Sequence, residues 1–352
     1  MVQHILVASY TDAVYTLAFD SSRSSLELVS STTVGYHPSW ITPHPHEPSV
    51  VFTGLEQENG RVVVLKYDAN GVGTILGEIS SGGKDPASLL ATDDTLFVAN
   101  YSSGTLLTTP LLPGAPYVSD ARSSLGQLVG TGPNAARQEA SHPHQVVFVP
   151  EREGILVPDL GADRTWRFKR EEGRREWTMV DSVLYGPGDG PRHVVLKDNL
   201  LYTLCELTST LTTHDFPPLP ASSLLISRAS TLINPPEPLG DMLASEIFIA
   251  PQNAAFPEPL LYTSNRNDPS PLGDTLAVFS LEKPTHPKLV SELRTGLKHL
   301  RGAALGGEDG RWIIAGGARG GGVKMFERVE GGRNIKEVAQ IEIGSPTAFL
   351  WL

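Results

Sequence analysis

Four short phrases recur along this chain and decide its fold: His142-Pro143-His144-Gln145, Gly190-Pro191-Arg192-His193, Ala244-Ser245-Glu246 and His299-Leu300-Arg301-Gly302. Each phrase opens a unit of one plan, in which a short apolar strand is followed by a turn, a second strand and a third strand. A repeat of this kind, about 50 residues long, is typical of ring-shaped β proteins. Polar residues at the start of every unit would then point to one shared centre.

The unit that begins at Pro191 shows the plan most clearly. We predict its three strands over residues 192–196, 200–206 and 210–216, separated by polar turns. Strands of other units are predicted over residues 50–55, 61–67, 145–149 and 275–280. The even spacing of such segments, their β-branched residues and the turn residues between them favour strands over buried helices. The chain shows no sustained helical periodicity, so an all-β fold is predicted.

The number of repeats predicts seven blades. Six units start near residues 38, 86, 143, 191, 245 and 301, and a seventh start at Ser345 has only its first strand before the last residue. Predicted strands over residues 5–10 and 14–19 would complete that seventh blade. Joining both termini in one sheet closes the ring and hides its free edges. We therefore expect a seven-bladed β-propeller that forms a single domain over residues 1–352.

Composition restricts the partners and the compartment. The net charge of −11 argues against a nucleic-acid partner but allows a small anionic ligand in a locally basic pocket. Cys205 is the only cysteine, which rules out an intrachain disulfide and fits a reducing compartment. No basic leader or membrane-length apolar run is present, so we expect a cytoplasmic protein without a membrane partner. Its oligomeric state is left open.

Three other patterns are weak as functional signals. His142 and His144 lie two residues apart and would share one face of a strand, yet no further cluster with metal-ligand spacing accompanies them. The glycine-rich run over residues 316–322 lacks the Lys-Ser/Thr pair of a phosphate-binding loop and is predicted to be a flexible turn. A Gly-x-Ser-x-Gly motif for a serine nucleophile is absent from the sequence.

The motifs of the middle blades resemble those of the seven-bladed propeller lactonase family. The resemblance is carried by His142-Pro143-His144, Val157-Pro158-Asp159-Leu160-Gly161, Gly190-Pro191-Arg192-His193, Cys205-Glu206-Leu207-Thr208-Ser209-Thr210 and Ser264-Asn265-Arg266. This family includes bacterial-type 6-phosphogluconolactonases and fungal 3-carboxy-cis,cis-muconate lactonizing enzymes. The similarity covers the whole chain and is strongest over residues 142–280. The usual Asp-Gly turn after the first strand is replaced here, at residues 151–154 and 197–199.

The resemblance implies an active site without metal or other cofactor, made of His144, Arg192, Glu206 and Arg266. Arginine binds a carboxylate or phosphate through paired hydrogen bonds, and histidine can transfer a proton near neutral pH. His144 is the candidate acid/base, whereas Glu206 could orient His144 or act as the base itself. We expect Arg192 to open an innermost strand and Arg266 to lie just past a second strand. Further candidates for contacting the substrate are His142, His193 and Arg301.

These residues suit a small anionic substrate, either a lactone or a carboxylate. Hydrolysis of a lactone of the 6-phosphogluconolactone type is preferred, and cyclisation of a carboxymuconate is the alternative. Both reactions need an anion-binding group and a proton-transfer group, so the four residues do not separate them. A second alternative is a non-catalytic propeller that binds a protein partner, for which an exposed apolar patch would be expected.

Overall fold

The computed structural model describes residues 2–171, 176–236 and 238–352, which form 28 strands in seven four-stranded sheets. Every described sheet is one blade of a propeller, and each run of three or four consecutive strands along the chain stays within one blade. The strands of the first three blades, in chain order, are β1 (Val2–Ser9), β2 (Ala13–Asp20) and β3 (Ser25–Thr33) in blade 1; β4 (Pro38–Pro43), β5 (Val50–Leu55), β6 (Arg61–Tyr67) and β7 (Gly73–Ser80) in blade 2; and β8 (Pro86–Ala91), β9 (Thr95–Asn100), β10 (Thr105–Pro110) and β11 (Ser124–Gln127) in blade 3.

The remaining blades follow the same order. Their strands are β12 (Val147–Val149), β13 (Gly154–Asp159), β14 (Arg164–Arg170) and β15 (Trp177–Leu184) in blade 4; β16 (Pro191–Lys197), β17 (Leu200–Cys205), β18 (Thr210–Asp215) and β19 (Leu225–Ser230) in blade 5; β20 (Leu243–Ile249), β21 (Leu260–Arg266), β22 (Thr275–Ser280) and β23 (Lys288–Arg294) in blade 6; β24 (Lys298–Gly306), β25 (Trp312–Gly320), β26 (Gly322–Val329) and β27 (Asn334–Ile341) in blade 7; and β28 (Pro346–Trp351). Short 3-10 turns occupy Asp120–Arg122, Pro150–Arg152 and Glu330–Gly332.

The two chain ends share blade 1, whose strand order is β28-β1-β2-β3. This sheet confirms the predicted seven-bladed propeller and the predicted closure by both termini. The chain forms two compact units. The C-terminal unit comprises His193–Trp351 with Ala18–Glu27 and the start of the chain, and the N-terminal unit comprises His4–Leu17, Leu28–Arg192 and Leu352. The single domain expected over residues 1–352 stays a prediction.

Within each unit, apolar residues of neighbouring sheets pack against one another. In the N-terminal unit, Phe52 and Val64 of blade 2 are buried in one cluster with Leu96 and Val98 of blade 3. In the C-terminal unit, Leu204 of blade 5 packs in the same way with residues of blade 6. The middle strands are buried on both faces, which explains why they are nearly continuous apolar runs instead of alternating ones.

A backbone device recurs where the innermost strands begin. The residue just before the strand adopts a positive φ at His37, Asp85, Gly190 and Ser345, and so does His299, the second residue of β24. The pairing register then skips one residue in three of these strands, at Ser39, Ala87 and Arg301. Such β-bulges re-aim a side chain at the end of a sheet. In these three blades the bulged residue near the start of the strand therefore directs its side chain differently from its neighbours.

The predicted strands need three corrections. Each blade has a fourth, outer strand that the sequence did not reveal, because strands such as β7 are half-exposed and carry no regular apolar alternation. The strand predicted over residues 145–149 is only β12, Val147–Val149. The run 316–322, predicted to be a flexible turn, contains the turn between β25 and β26 at Gly321, but its ends extend the ladder of blade 7, in which Gly316 pairs with Val323 and Gly317 with Gly322.

Among the described residues, no helix has the length and apolar character needed to cross a membrane.

The packing of β28 against blade 7 can be tested at Gly302. A Cβ atom built at this residue would lie 2.2 Å from the carbonyl oxygen of Thr347, which is backbone and cannot swing away. Gly302→Ala should therefore lower the free energy of unfolding by about 1–3 kcal/mol, as overpacking does. Urea denaturation measures the change. Gly114→Ala, where nothing lies within 4 Å of the added atom, is the control and should leave the stability nearly unchanged.

Candidate functional site

Glu206 and Arg266 form a buried ion pair in the C-terminal unit. The Nη2 atom of Arg266 lies 2.5 Å from Oε2 of Glu206, and the two side chains are 5% and 1% exposed. Glu206 directly follows β17, and its carbonyl oxygen accepts a hydrogen bond from the N–H of Ala244 in the next blade. Arg266 is the last residue of β21 and not, as predicted, just past a strand. A charge-assisted contact between buried partners fixes the guanidinium firmly.

The end of β21 is held in place by Asn265, which is fully buried. Its Nδ2 atom donates to the carbonyl oxygen of Thr231 at 3.0 Å, and its Oδ1 accepts from the hydroxyl of Thr231 at 2.5 Å. Both halves of the amide are thus used, which a buried side-chain amide requires. The Ser264-Asn265-Arg266 motif therefore has a structural part, Asn265, that positions the charged residue after it.

His299 lies close to the Glu206–Arg266 pair electrostatically and is a candidate that sequence reasoning missed. It lies in β24, two residues before Arg301, and its Nδ1 atom is 2.7 Å from Oδ1 of Asn267. Burial is the main cause that lowers the pKa of His299 to about 3, and the positive charges of three arginines add to it: Arg266, Arg319 and Arg301. The charge of Glu206 opposes this effect. A neutral imidazole therefore stands among three guanidinium groups at any ordinary pH.

Arg301 was predicted to contact substrate, and the structure places its charge in this group. Arg319, which the sequence analysis left within a glycine-rich turn, is exposed in β25 and belongs to the same group. The signal that could have revealed His299 was its place in one of the four recurring phrases. We refer to Glu206, Arg266, His299, Arg301 and Arg319 as the arginine cluster.

His193 has a different partner from the arginine cluster. Its Nδ1 atom lies 3.0 Å from Oε2 of Glu246, and the two side chains are 1% and 13% exposed. Glu246 follows the small residues of the Ala244-Ser245-Glu246 phrase, and its N–H donates to the hydroxyl of Ser264 at 2.9 Å. The contact with Glu246 thus fixes the ring of His193, predicted to bind substrate, between two neighbouring blades of the C-terminal unit.

In the N-terminal unit, Tyr101 brings His142 and His144 together. The ring of His142 stacks on Tyr101 with centroids 4.5 Å apart, and the ring of His144 meets Tyr101 edge-on at 5.6 Å. Both histidines are buried. The backbone N–H of His144 donates to the carbonyl oxygen of Pro158 at 2.9 Å, so this residue lies in extended chain just before β12.

Both ring nitrogens of His142 face acceptors. Nδ1 lies 2.9 Å from the carbonyl oxygen of Tyr101, and Nε2 lies 3.1 Å from a carboxylate oxygen of Glu139. A carbonyl oxygen only accepts hydrogen bonds, so Nδ1 must donate. His142 therefore has no nitrogen lone pair directed at His144 for a shared metal. Among the described residues, no group of three or more His, Cys, Asp or Glu side chains is placed to hold a metal ion.

The buried carboxylate of Asp159 holds the segment that carries these two histidines. Its Oδ1 atom accepts from the N–H of His142 at 2.7 Å, and Oδ2 accepts from the indole of Trp166 at 2.8 Å and from the hydroxyl of Ser141. Gly161 lets the chain approach closely, because a Cβ atom there would lie 1.8 Å from the carbonyl oxygen of Ala140. The Val157–Gly161 motif is thus a support for His142 and His144.

The carboxylate of Asp163 holds the backbone just before Arg192 in the same way. Its two carboxylate oxygens accept from the N–H of Gly190 at 2.8 Å and of Gly188 at 2.7 Å. Arg192 is the second residue of β16, as predicted for an innermost strand, and is 2% exposed. A buried arginine with a fixed strand start is suited to a precise role rather than to a solvated surface position.

The seven predicted site residues therefore fall into defined surroundings. Glu206 and Arg266 are in direct contact, and Arg301 adds its charge to theirs. His142 and His144 share Tyr101, whereas His193 pairs with Glu246. One groove of the N-terminal unit, lined by Asp94, Arg122 and Arg170 among others, contains none of the seven.

Seven four-stranded blades with these motifs define a propeller whose blade starts carry the charged residues. A family model described as "Lactonase, 7-bladed beta-propeller" matches residues 4–351, so the chain belongs to this family. A probable 6-phosphogluconolactonase of Arthroderma benhamiae is 25% identical over 364 residues, covering 98% of this chain and 88% of the relative. The 6-phosphogluconolactonase of Bacillus subtilis is 25% identical over 288 residues, covering 79% and 77%.

Solved structures show the same fold. A putative 6-phosphogluconolactonase from Bacteroides uniformis superposes with a TM-score of 0.86 at 22% identity and covers 100% of this chain and 99% of that one. The periplasmic gluconolactonase of Pseudomonas aeruginosa gives a TM-score of 0.85 at 20% identity with the same coverage. The recognised family and the predicted propeller are thereby confirmed.

The buried ion pair can be tested by a double-mutant cycle. Removing one partner of a buried pair leaves an uncompensated charge, so Arg266→Met and Glu206→Gln should each lower the free energy of unfolding by about 3 kcal/mol. The double variant should lose clearly less than the sum. The exposed pair Arg333–Glu258, with contacts of 2.6 and 2.8 Å, is the control and should couple by less than about 1 kcal/mol. Additive losses at Arg266 and Glu206 would refute the pair.

The support of Arg192 can be tested at Asp163. Asparagine keeps the shape of the side chain and tolerates the positive φ of 49° at this residue. It loses one acceptor, so a buried N–H of Gly188 or Gly190 is left without its partner, at a cost of about 1–3 kcal/mol. Thermal or urea unfolding of Asp163→Asn measures this loss. The exposed Asp12→Asn is the control and should change the stability by no more than about 0.5 kcal/mol.

Proposed function

We propose that this protein hydrolyses the lactone ring of a small anionic molecule of the 6-phosphogluconolactone type, without a metal. The observation that carries the proposal is the buried Arg266–Glu206 pair, whose charges act on His299 together with those of Arg301 and Arg319, in a chain of the propeller lactonase family. The relatives named 6-phosphogluconolactonase support this substrate class. Because the whole protein carries a net charge of −11, an anionic substrate needs such a local concentration of cations.

The arginines would bind negative charge at two stages. In the ground state, a guanidinium binds the phosphate or carboxylate of the substrate through two parallel hydrogen bonds. When water attacks the lactone carbonyl, negative charge develops on the carbonyl oxygen, and preorganised donors stabilise it most effectively. We assign these tasks to Arg192 and Arg266, both of which are buried and held in place.

Proton transfer is assigned to His144. It would take a proton from the attacking water, so that a bond forms between the water oxygen and the acyl carbon. The bond from that carbon to the ring oxygen then breaks, and the proton passes to the leaving oxygen, giving a hydroxy acid. Because an oxygen of Glu206 contacts Arg266 at 2.5 Å, we assign Glu206 the orientation of Arg266. His142 and His193 are assigned to shaping the site.

The competing functions differ in which compound the protein converts. In cyclisation of a carboxymuconate, a carboxylate oxygen would add to a C=C bond to form the ring C–O bond, and the acid/base would deliver a proton to the neighbouring carbon. A non-catalytic propeller would turn over neither compound. The names of the relatives favour hydrolysis. We further propose a cytoplasmic location, supported by the single cysteine, Cys205, which is buried and forms no disulfide.

Turnover of 6-phosphogluconolactone and of carboxymuconate by the purified protein tests the function, followed by acid release or by loss of ultraviolet absorbance. We expect hydrolysis of the lactone well above its spontaneous rate. His144→Ala and Arg192→Ala should each reduce kcat by about 100-fold or more, the usual scale for a positioned catalytic group.

Matched controls are the exposed residues His46 and Arg23, whose replacement by alanine should leave kcat unchanged. If neither compound reacted faster than its spontaneous rate, the proposed activity would be refuted. An unchanged kcat in His144→Ala would refute the assignment of His144 as the acid/base but not the lactonase function.

A further inference from the structure

The hydrogen bonds of Asn267 fix which nitrogen of His299 carries the proton. The Nδ2 atom of Asn267 lies 2.9 Å from the carbonyl oxygen of Asp241, which only accepts, so the amide nitrogen must face Asp241. The amide oxygen then faces Nδ1 of His299 at 2.7 Å and accepts its proton. In the neutral ring the other nitrogen, Nε2, is left with a lone pair.

The orientation of this ring is set by the backbone on both sides. His299 and Asn267 both adopt positive φ angles, 58° and 64°. The next residue, Leu300, donates its N–H to Oδ2 of Asp274 at 2.8 Å, which anchors the start of β24. His299 itself is half-buried, and no described residue makes a hydrogen bond to its Nε2 atom. The lone pair is therefore fixed in direction and open to a ligand.

Burial, together with the charges around His299, keeps the ring neutral. The groups that act on it are Arg266 at the end of β21, Glu206 after β17, Arg301 in β24 and Arg319 in β25, together with the Asp274 carboxylate that accepts backbone N–H groups at this strand start. Three cations outweigh the nearby anions and disfavour the imidazolium form. An imidazole nitrogen that stays unprotonated accepts a hydrogen bond from a donor that reaches it, and hydroxyl groups of a ligand are such donors.

We propose that Nε2 of His299 accepts a hydrogen bond from a hydroxyl group of the substrate, while Arg301 and Arg319 attract its negative charge. This residue would then select polyhydroxy acids and their lactones over unhydroxylated ones of the same charge. The inference rests on the proposed lactonase function and assigns a specificity-determining residue to it. A site built to bind a hydroxyl discriminates strongly against an analogue that lacks one, because its acceptor is then left unsatisfied.

Calorimetric binding of gluconate and of hexanoate tests the proposal. Both ligands are six-carbon monoanions, and only gluconate carries hydroxyl groups. The wild-type protein should bind gluconate about tenfold more tightly than hexanoate, on the scale of one neutral hydrogen bond together with the penalty for an unpaired acceptor. His299→Leu should bring the ratio close to one, because gluconate loses the hydrogen bond to Nε2. The exposed His286→Leu is the control and should keep the wild-type ratio.

A second variant and a second measurement test the proposal even if His299→Leu does not fold. Asn267→Gly tolerates the positive φ and removes only the amide that fixes the ring, so the ratio should fall between those of the wild type and His299→Leu. In ¹⁵N NMR of the wild-type protein, Nδ1 of His299 should be the protonated nitrogen, with no titration between pH 8 and pH 5. This follows because a lowered pKa keeps the ring neutral throughout that range.

Three results would overturn the proposal: no preference for gluconate in the wild type, an unchanged ratio in His299→Leu, or a His299 ring that titrates near pH 6.5. None of these measurements requires turnover. Failure of the inference is therefore distinguishable from failure of the lactonase function, which is judged by hydrolysis alone.

Discussion

Buried aspartate carboxylates that accept backbone N–H groups are the constraint on which the site depends. Asp163 accepts from Gly188 and Gly190 just before Arg192, and Asp274 accepts from Leu300 just before Arg301. Burial raises the pKa of Asp274, and the backbone hydrogen bonds that it accepts oppose this shift. Asp159 does the same for the segment of His142 and His144. Each carboxylate thus fixes the chain immediately before a residue with a proposed role.

At the strand starts, the backbone features are structural, whereas the side chains that they place differ in chemistry from blade to blade. The β-bulge or positive-φ residue at the start of an innermost strand is a backbone feature that any blade can use, and Ser39 and Ala87 show it with chemically plain side chains. In other blades the same position holds His144, Arg192 or Arg301. The fold therefore offers equivalent positions, and the proposed function depends on which of them carry charged or titratable groups.

The sequence predicted the fold well because its middle strands are buried on both faces. The bounds predicted for β5, β6 and β22 agree with the structure to the residue. The outer strands were missed because half-exposed segments such as β7 lack a pattern that distinguishes them from loops. In the glycine-rich run of blade 7, composition indicates the turn but not that pairing with the neighbouring strands extends the ladder through Gly316 and Gly317.

The site was predictable in part. Family motifs identified Glu206 and Arg266, yet their contact depends on two blades and could not be inferred from spacing. His299 was quoted in a recurring phrase, but its role depends on Asn267, which is 32 residues away in the sequence. The supports Asp159 and Asp163 looked like turn residues because single carboxylates usually lie in solvent. Long-range hydrogen bonds of this kind leave no periodic signal in one sequence.

We propose that the arginine cluster of the C-terminal unit binds an anionic sugar acid. A crystal structure of the protein soaked with 6-phosphogluconate would decide this. We predict an anionic group of the ligand within hydrogen-bond distance of the guanidinium of Arg266, Arg301 or Arg319, with a ligand hydroxyl on Nε2 of His299. Ligand density confined to residues outside this cluster, with none of the three guanidinium groups in contact with it, would contradict the account.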